Sequence, residues 1–251
     1  MTATGSAELR DVYEAQYSAE GPDAARYGAW RAVSAEAKAD HVARLAAGLA
    51  ERPRSLVEIG CGDGGLLEAL AARGLADSLH GFDISEGAVQ YASGRTAIER
   101  VERFDGASLP GADATYDLGV LSHVLEHVPD PVPLLRETAQ VCRAVVVEVP
   151  LEDNRSASRP ATERGRQAIG HLHRFSRADV HRLASEAGLA VAGELADPLP
   201  LRVHLFWATR LTARARALGK AAARRVLFTV APGAAERAFT VHYAALLVPR
   251  V

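Results

Sequence analysis

Sulfur, surplus charge and long apolar runs are what this chain of 251 residues has least of. Its cysteines are Cys61 and Cys142. Two thiols cannot furnish a zinc site by themselves, and they do not form the framework of a small secreted domain. A reduced, cytoplasmic compartment is therefore expected. The 29 Lys and Arg against 31 Asp and Glu leave a net charge of −2, which excludes a global attraction to nucleic acid or to an anionic membrane. No uncharged apolar run reaches the ~18 residues of a spanning helix. Residues 1–10 lack a basic stretch followed by an apolar one, so no signal peptide is expected. No internal repeat and no metal-ligand spacing is visible, and no metal is expected. Disorder is excluded as well: 48% of the residues are hydrophobic, enough to give one α/β domain spanning 1–251 a large core.

What the chain does have is glycine, concentrated at one place. The stretch Leu56-Val57-Glu58-Ile59-Gly60-Cys61-Gly62-Asp63-Gly64-Gly65 runs from four mostly apolar, β-prone residues into four glycines. Leu66, Leu67 and Leu70 then mark the face of a helix. Glycines without Cβ atoms let a backbone turn sharply and lie against a ligand, and the helix N-terminus offers that ligand free N–H groups. Gly60, Gly62 and Gly65 satisfy the G-x-G-x-x-G dinucleotide spacing, a weak signal alone. Glu58 extends the pattern to E-x-G-x-G-x-G. Asp83 closes the next apolar run, 78–84, about 20 residues on, where an acid gripping ribose hydroxyls belongs. Neither feature separates a nicotinamide dinucleotide from another nucleoside cofactor.

The remaining punctuation predicts alternating helices and strands. A helix is expected over 8–18. Another opens at Tyr27, Trp30 and Val33, and a third, capped by Ser34, runs over 35–51. Helices follow over 66–73 and 86–93, the second started by Asp83 or Ser85, and strands over 98–104 and 116–121. Asp130 caps a helix over 131–142 ahead of the valine-rich strand 144–149, which reads as a parallel strand covered on both faces. Residues 150–169 form a polar loop, with room for a short helix. Ser176 caps a helix that Gly188 stops, and strands over 189–195 and 238–249 close the chain. Between them, 201–229 reads as helical and carries Arg202, Arg210, Arg214, Arg216, Lys220, Arg224 and Arg225, with no acid between Asp197 and Glu236. That segment is either a cap with a solvated basic face or a surface for an anionic or carrier-bound substrate or a membrane.

Four features in this order resemble the class I S-adenosylmethionine-dependent methyltransferases: the E-x-G-x-G-x-G corner, Asp83, the turn Asp105-Gly106-Ala107-Ser108-Leu109-Pro110, and Leu125-Glu126-His127-Val128. The type resembled acts on small molecules and includes ubiquinone-biosynthesis-like enzymes. The likeness covers about 8–196 and 238–249. It implies a three-layer, Rossmann-like sheet of order 3-2-1-4-5-7-6 with strand 7 antiparallel, an N-terminal helical lid over 8–51 and an inserted helical cap over 197–237. It implies S-adenosyl-L-methionine as cofactor and S-adenosyl-L-homocysteine as product. Glu58, Gly60, Cys61, Gly62 and Gly64 would line its methionine and ribose portion, with Asp83 on the ribose and Ile84 against the adenine. Asp105 and Gly106 or Ala107 would meet the adenine edge, Ser122 and His123 would sit under the sulfonium, and Tyr17 and Tyr27 would close from the lid.

The expected reaction is methyl transfer to a small-molecule acceptor, at oxygen, of secondary-metabolite or lipid type. Proximity does most of the work; a histidine general base helps when the nucleophile is a hydroxyl, and N- or C-methylation needs none. His123 is the first candidate for that base, then His171 and His173. His127 and His173 also fit a loop-holding role. Alternatives are a tRNA methyltransferase, a subunit that binds S-adenosylmethionine without chemistry, and an NAD-dependent oxidoreductase. The oligomeric state stays open.

Overall fold

The computed structural model describes residues 24–111 and 113–250. The expected helix over 8–18, and Tyr17 with it, lies outside the described residues.

Helix α1 (Ala24–Ala46) precedes β1 (Ser55–Ile59), α2 (Gly65–Ala72), β2 (Ser78–Asp83), α3 (Glu86–Ser93) and β3 (Arg100–Arg103). Next come β4 (Tyr116–Ser122), a short 3-10 turn (Leu125–His127), α4 (Pro131–Val141), β5 (Cys142–Leu151), α5 (Pro160–Ala168), α6 (Arg177–Glu186) and β6 (Leu189–Asp197). The chain ends with α7 (Leu201–Phe206), α8 (Leu211–Val230), α9 (Pro232–Ala238) and β7 (Val241–Pro249).

The seven strands form one sheet of order β3-β2-β1-β4-β5-β7-β6, as the resemblance implied. β7 runs antiparallel to both β5 and β6, so β6 is parallel to β5. The carboxyl ends of β1, β2, β4, β5 and β6 therefore share one edge. Successive strand side chains point to opposite faces, and both faces are covered. Val57, Ile59, Val145, Val147 and Tyr243 pack on the side of α4 and α6. Leu56, Leu118, Val120, Val146 and Leu246 pack on the side of α1 and α2.

Local signals set most boundaries. Asp130 accepts from the N–H of Val132 at the start of α4, with Pro131 in the first turn. Ser176 and Asp179 make a reciprocal capping box on α6. Ser85 starts α3 by accepting from the N–H of Ala88.

Three expectations need correction. Ser34 is not a cap: α1 runs through it unbroken, because the flanking Ala-rich sequence holds no breaker. The helix stops at Ala46 rather than continuing to 51. The stretch 201–229 is not continuous: it breaks at Trp207-Ala208-Thr209-Arg210 into α7 and α8. The last strand begins at Val241, because Pro232 starts one more short helix, α9.

Candidate active site

The corner after β1 is built as the glycine spacing demands. Gly60, Gly62 and Gly64 all have positive φ, at 74°, 55° and 74°. A Cβ on Gly60 would stand 2.6 Å from Val124 Cγ2, and one on Gly64 2.6 Å from Ile98 Cδ1. The loop is pinned to β2: Gly60 N and Cys61 N donate to Phe82 O, and Gly62 N donates to Asp83 Oδ2 at 2.8 Å. The other Asp83 oxygen accepts from Ser85 N at 2.9 Å. Arg31 of α1 donates to Asp63 at 2.7 Å and holds the loop from outside. Burial pushes the Cys61 thiol well up, so it stays protonated against the loop.

Glu58 lies under this corner, buried, and among the described residues its Oε2 has no hydrogen-bond partner. Burial raises its pKa well above the carboxylate range. Lys38 opposes that shift, and the charges of Asp83, Asp63 and Glu148 reinforce it. A buried carboxyl oxygen without a partner is costly unless something polar meets it. Together with the glycine cradle, it fits a cofactor that brings an ammonium group and needs close backbone approach.

Beyond β3, Gly106 has φ 84°, and a Cβ on it would meet Ile84 Cγ2 at 3.5 Å, so Ile84 and the turn after β3 are neighbours. Asp105 is exposed. Its Oδ1 accepts from both Ala107 N and Ser108 N at 2.8 Å, and those bonds, that from Ser108 first, lower its pKa. Asp105 therefore shapes this turn. Tyr27 sits in α1.

Beyond β4 the fold gathers more titratable groups than the motifs announced. His123 has a left-handed backbone, φ 59°, rare for a residue with a side chain, and its N–H donates to Glu148 O. Its Nδ1 is 3.0 Å from Glu126 Oε1, an ion-pair contact without the alignment of a hydrogen bond. Its Nε2 is 3.2 Å from His242 Nδ1 and 3.7 Å from Glu148 Oε1. Burial and Lys38 each lower the His123 pKa, but Glu126 and Glu148 outweigh them, and the net shift is upward. Glu126 is fully buried. Burial works to raise its pKa, but His123, His127 and His171 bring it down to about 2. Ser122 Oγ points at Glu148 Oε2, 3.4 Å away.

Glu148 is the hub. Its Oε1 lies 3.2 Å from both His242 Nδ1 and His41 Nδ1, and the other side of His41 reaches Asp197 at 3.3 Å. Burial works to raise the Glu148 pKa, but these histidines hold it well below the carboxylate range. Burial lowers the pKa of His242 to about 4, while Asp197 and Glu148 overcome burial and lift that of His41 to about 9. His41, Glu148, Asp197 and His242 were not read from the sequence as site residues. The available signal was an acid inside the valine run of β5.

His127, His171 and His173 tie loops together. His127 Nδ1 meets Gly170 O at 3.1 Å, His171 Nδ1 meets Glu152 Oε2 at 2.8 Å, and His173 Nε2 meets Val128 O at 2.8 Å. Glu126 O accepts from Leu172 N and His173 N. The structure thus brings His171 and His173 to the rim of the 122–128 loop and sets His123 at its centre. Two His/Glu groups, His123–Glu148–His242 and Glu126–His127–His171, each place three donor atoms within 4.8 Å of one another. Sequence spacing did not reveal either group.

Sheet order and corner define the class: the fold and glycine corner of the class I S-adenosylmethionine-dependent methyltransferases. More narrowly, residues 28–193 match the family described as a methyltransferase domain, and the chain belongs to it. It is similar to the ubiquinone biosynthesis O-methyltransferase of Leptothrix cholodnii, 32% identical over 94 residues, covering 35% of this chain and 39% of that protein. The enzyme of the same name from Nitrosomonas europaea is 31% identical over 111 residues, 42% of this chain and 45% of that one. The chain thus aligns with less than half the length of either. Its fold is similar to that of a methyltransferase solved with the Haloferax volcanii Trm112 activator (TM-score 0.65, 18% identity, 97% of this chain and 98% of that one). It is also similar to that of the geranyl diphosphate C-methyltransferase of Streptomyces coelicolor, solved with S-adenosyl-L-homocysteine (TM-score 0.62, 15% identity, 85% and 77%).

Proposed function

We propose that this protein transfers a methyl group to a hydroxyl of a small-molecule acceptor, with His123 as the general base. The observation that carries the reading is His123 itself. It is an imidazole held in a strained backbone at the carboxyl end of β4, with a buried carboxylate on each side. The bound cofactor supplies a methyl group already activated on sulfur, so the protein's own task is to position and deprotonate. Glu58, the glycine corner and Asp83 hold the cofactor, Ile84, Asp105, Gly106 and Ala107 frame its base, and Ser122 stands beneath the transfer site. His123 takes the acceptor's proton, and Glu126 and Glu148 stabilise the imidazolium that results. The names of the two curated relatives support oxygen as the atom methylated.

The test is a screen of catechol, phenol and hydroxy-acid acceptors with methyl-labelled cofactor and mass detection. Binding of S-adenosyl-L-homocysteine but not NAD is measured beside it. Labelled ethers are the expected products. Labelled tRNA with no labelled small molecule would replace this reading with the nucleic-acid one. Cofactor binding with no acceptor of any class would leave a binding subunit.

A further inference from the structure

The inserted helices carry a surface that the proposed chemistry does not use. α8 has 20 residues, about 30 Å of helix at 1.5 Å per residue, and no side chain on it is fully buried. One line of residues faces the protein: Ala213, Ala217, Ala221, Arg224 and Phe228 are half-buried. Phe228 packs at the edge of the core, and the Arg224 guanidinium lies 4.4 Å from the centre of the Phe239 ring.

The opposite line is apolar. Leu211, Ala215, Leu218, Ala222, Val226 and Val230 recur every three or four residues, one stripe of a helix. Leu211 is 85% exposed, Val230 78% and Val226 62%. At 100° per residue, Arg214 and Arg225 border the stripe on one side and Arg216 on the other. No acid interrupts the sequence between Asp197 and Glu236. Among the described residues, Arg210, Arg214, Arg216 and Lys220 have no carboxylate within ion-pair distance. Beside α8, Trp207 stands half-exposed against Trp30 and Phe206.

We propose that α8 lies flat on an anionic lipid surface, its aliphatic stripe among the acyl chains and its arginines on the headgroups. An apolar stripe bordered by long cationic side chains, with a tryptophan beside it, is the chemistry of an interfacial helix. Charge complementarity selects the occupant. A second copy of the chain would bring arginine against arginine. A nucleic acid would leave the aliphatic stripe without a partner. The insertion leaves the sheet at Asp197, on the edge where His123 sits, so a docked α8 holds the site edge near the lipid. The inference stands whichever acceptor atom is methylated.

The experiment is co-sedimentation of the full chain with vesicles of phosphatidylcholine, with and without phosphatidylglycerol, at low and high salt. Binding should require phosphatidylglycerol and weaken with salt. Leu211→Asp with Val226→Asp should weaken it at least about tenfold. Both positions are exposed, so thermal unfolding and S-adenosyl-L-homocysteine binding should not change. Arg214→Glu with Arg216→Glu should give the same loss if the aspartate variant misfolds. Equal binding to both vesicle types, or binding to neither, overturns the proposal. So does a concentration-dependent doubling of mass that the same substitutions abolish, or salt-sensitive binding to RNA in place of vesicles. Cofactor affinity, read in the same samples, reports separately on the methyltransferase site.

Discussion

At the scale of single residues, two side chains are tuned in ways that pH can read. Glu58 is buried with an orphan oxygen and a raised pKa, so it binds a proton more readily than an ordinary carboxylate. A cofactor ammonium beside it favours the ionised form, and binding must then expel that proton. The S-adenosyl-L-homocysteine binding enthalpy should depend on the buffer's ionisation enthalpy, and affinity should rise with pH. Glu58→Gln should remove both effects. A buffer-independent enthalpy in the parent protein would show that Glu58 does not face the ammonium. His123 gives the complementary reading. A base must be neutral to act, and its carboxylate neighbours raise its pKa above 6.5. Turnover should therefore climb with pH along a limb above that value, and Glu126→Gln should move the limb down. His123→Ala should reduce kcat by about 100-fold or more, the usual worth of a positioned base, with little change in cofactor affinity. Equal losses in both would make His123 a binding residue.

At the scale of elements, the first β–α crossover is the most constrained part of the chain. Gly60 combines φ 74° with a Cβ position 2.6 Å from Val124 Cγ2, on the loop that carries His123. Gly60→Ala must strain the corner and push that loop, costing at least ~1 kcal/mol from the left-handed backbone alone. The expected result is a lower midpoint in urea and weaker cofactor binding. An unchanged midpoint would mean that the loop yields freely. This corner was legible because its residues are consecutive and no other residue type fits the backbone. The caps at Asp130 and Ser176 were legible too, each read from one side chain and its next turn, while the start of α3 stayed open between Asp83 and Ser85 until the structure showed Ser85. The end of α1 was overlooked although Gly48, a helix stop, stands two residues past Ala46. The break at 207–210 holds no glycine or proline and was not legible: Trp207 meets Trp30, which is far off in sequence.

At the scale of the whole molecule, a chain of buried charge crosses the sheet edge from Asp197 through His41 and Glu148 to His242 and His123. Its members come from β6, α1, β5, β7 and the loop after β4, so no stretch of sequence contains it. Sequence order does not show which histidine meets which acid. In the sequence His41 is one polar residue on an apolar helix face, and Glu148 interrupts a valine run. Their partners lie 94 to 156 residues away, apart from Ser122 and His123, which precede Glu148 by 26 and 25. The assembly also makes stability depend on pH. The His41 pKa is about 9 in the fold, against 6.5 unfolded, because Asp197 and Glu148 outweigh burial. A raised pKa means the folded state holds the proton more tightly. The stabilisation is complete below about 6.5 and is lost as pH climbs toward 9. For this buried group it is worth roughly 3 kcal/mol. Urea unfolding of the parent protein should lose stability across that window. His41→Gln should be less stable at pH 6 and should flatten the slope. A parent whose midpoint does not change between pH 6 and 9 would mean that His41 stays neutral, and that Glu148 takes its positive partner from the His123 side alone.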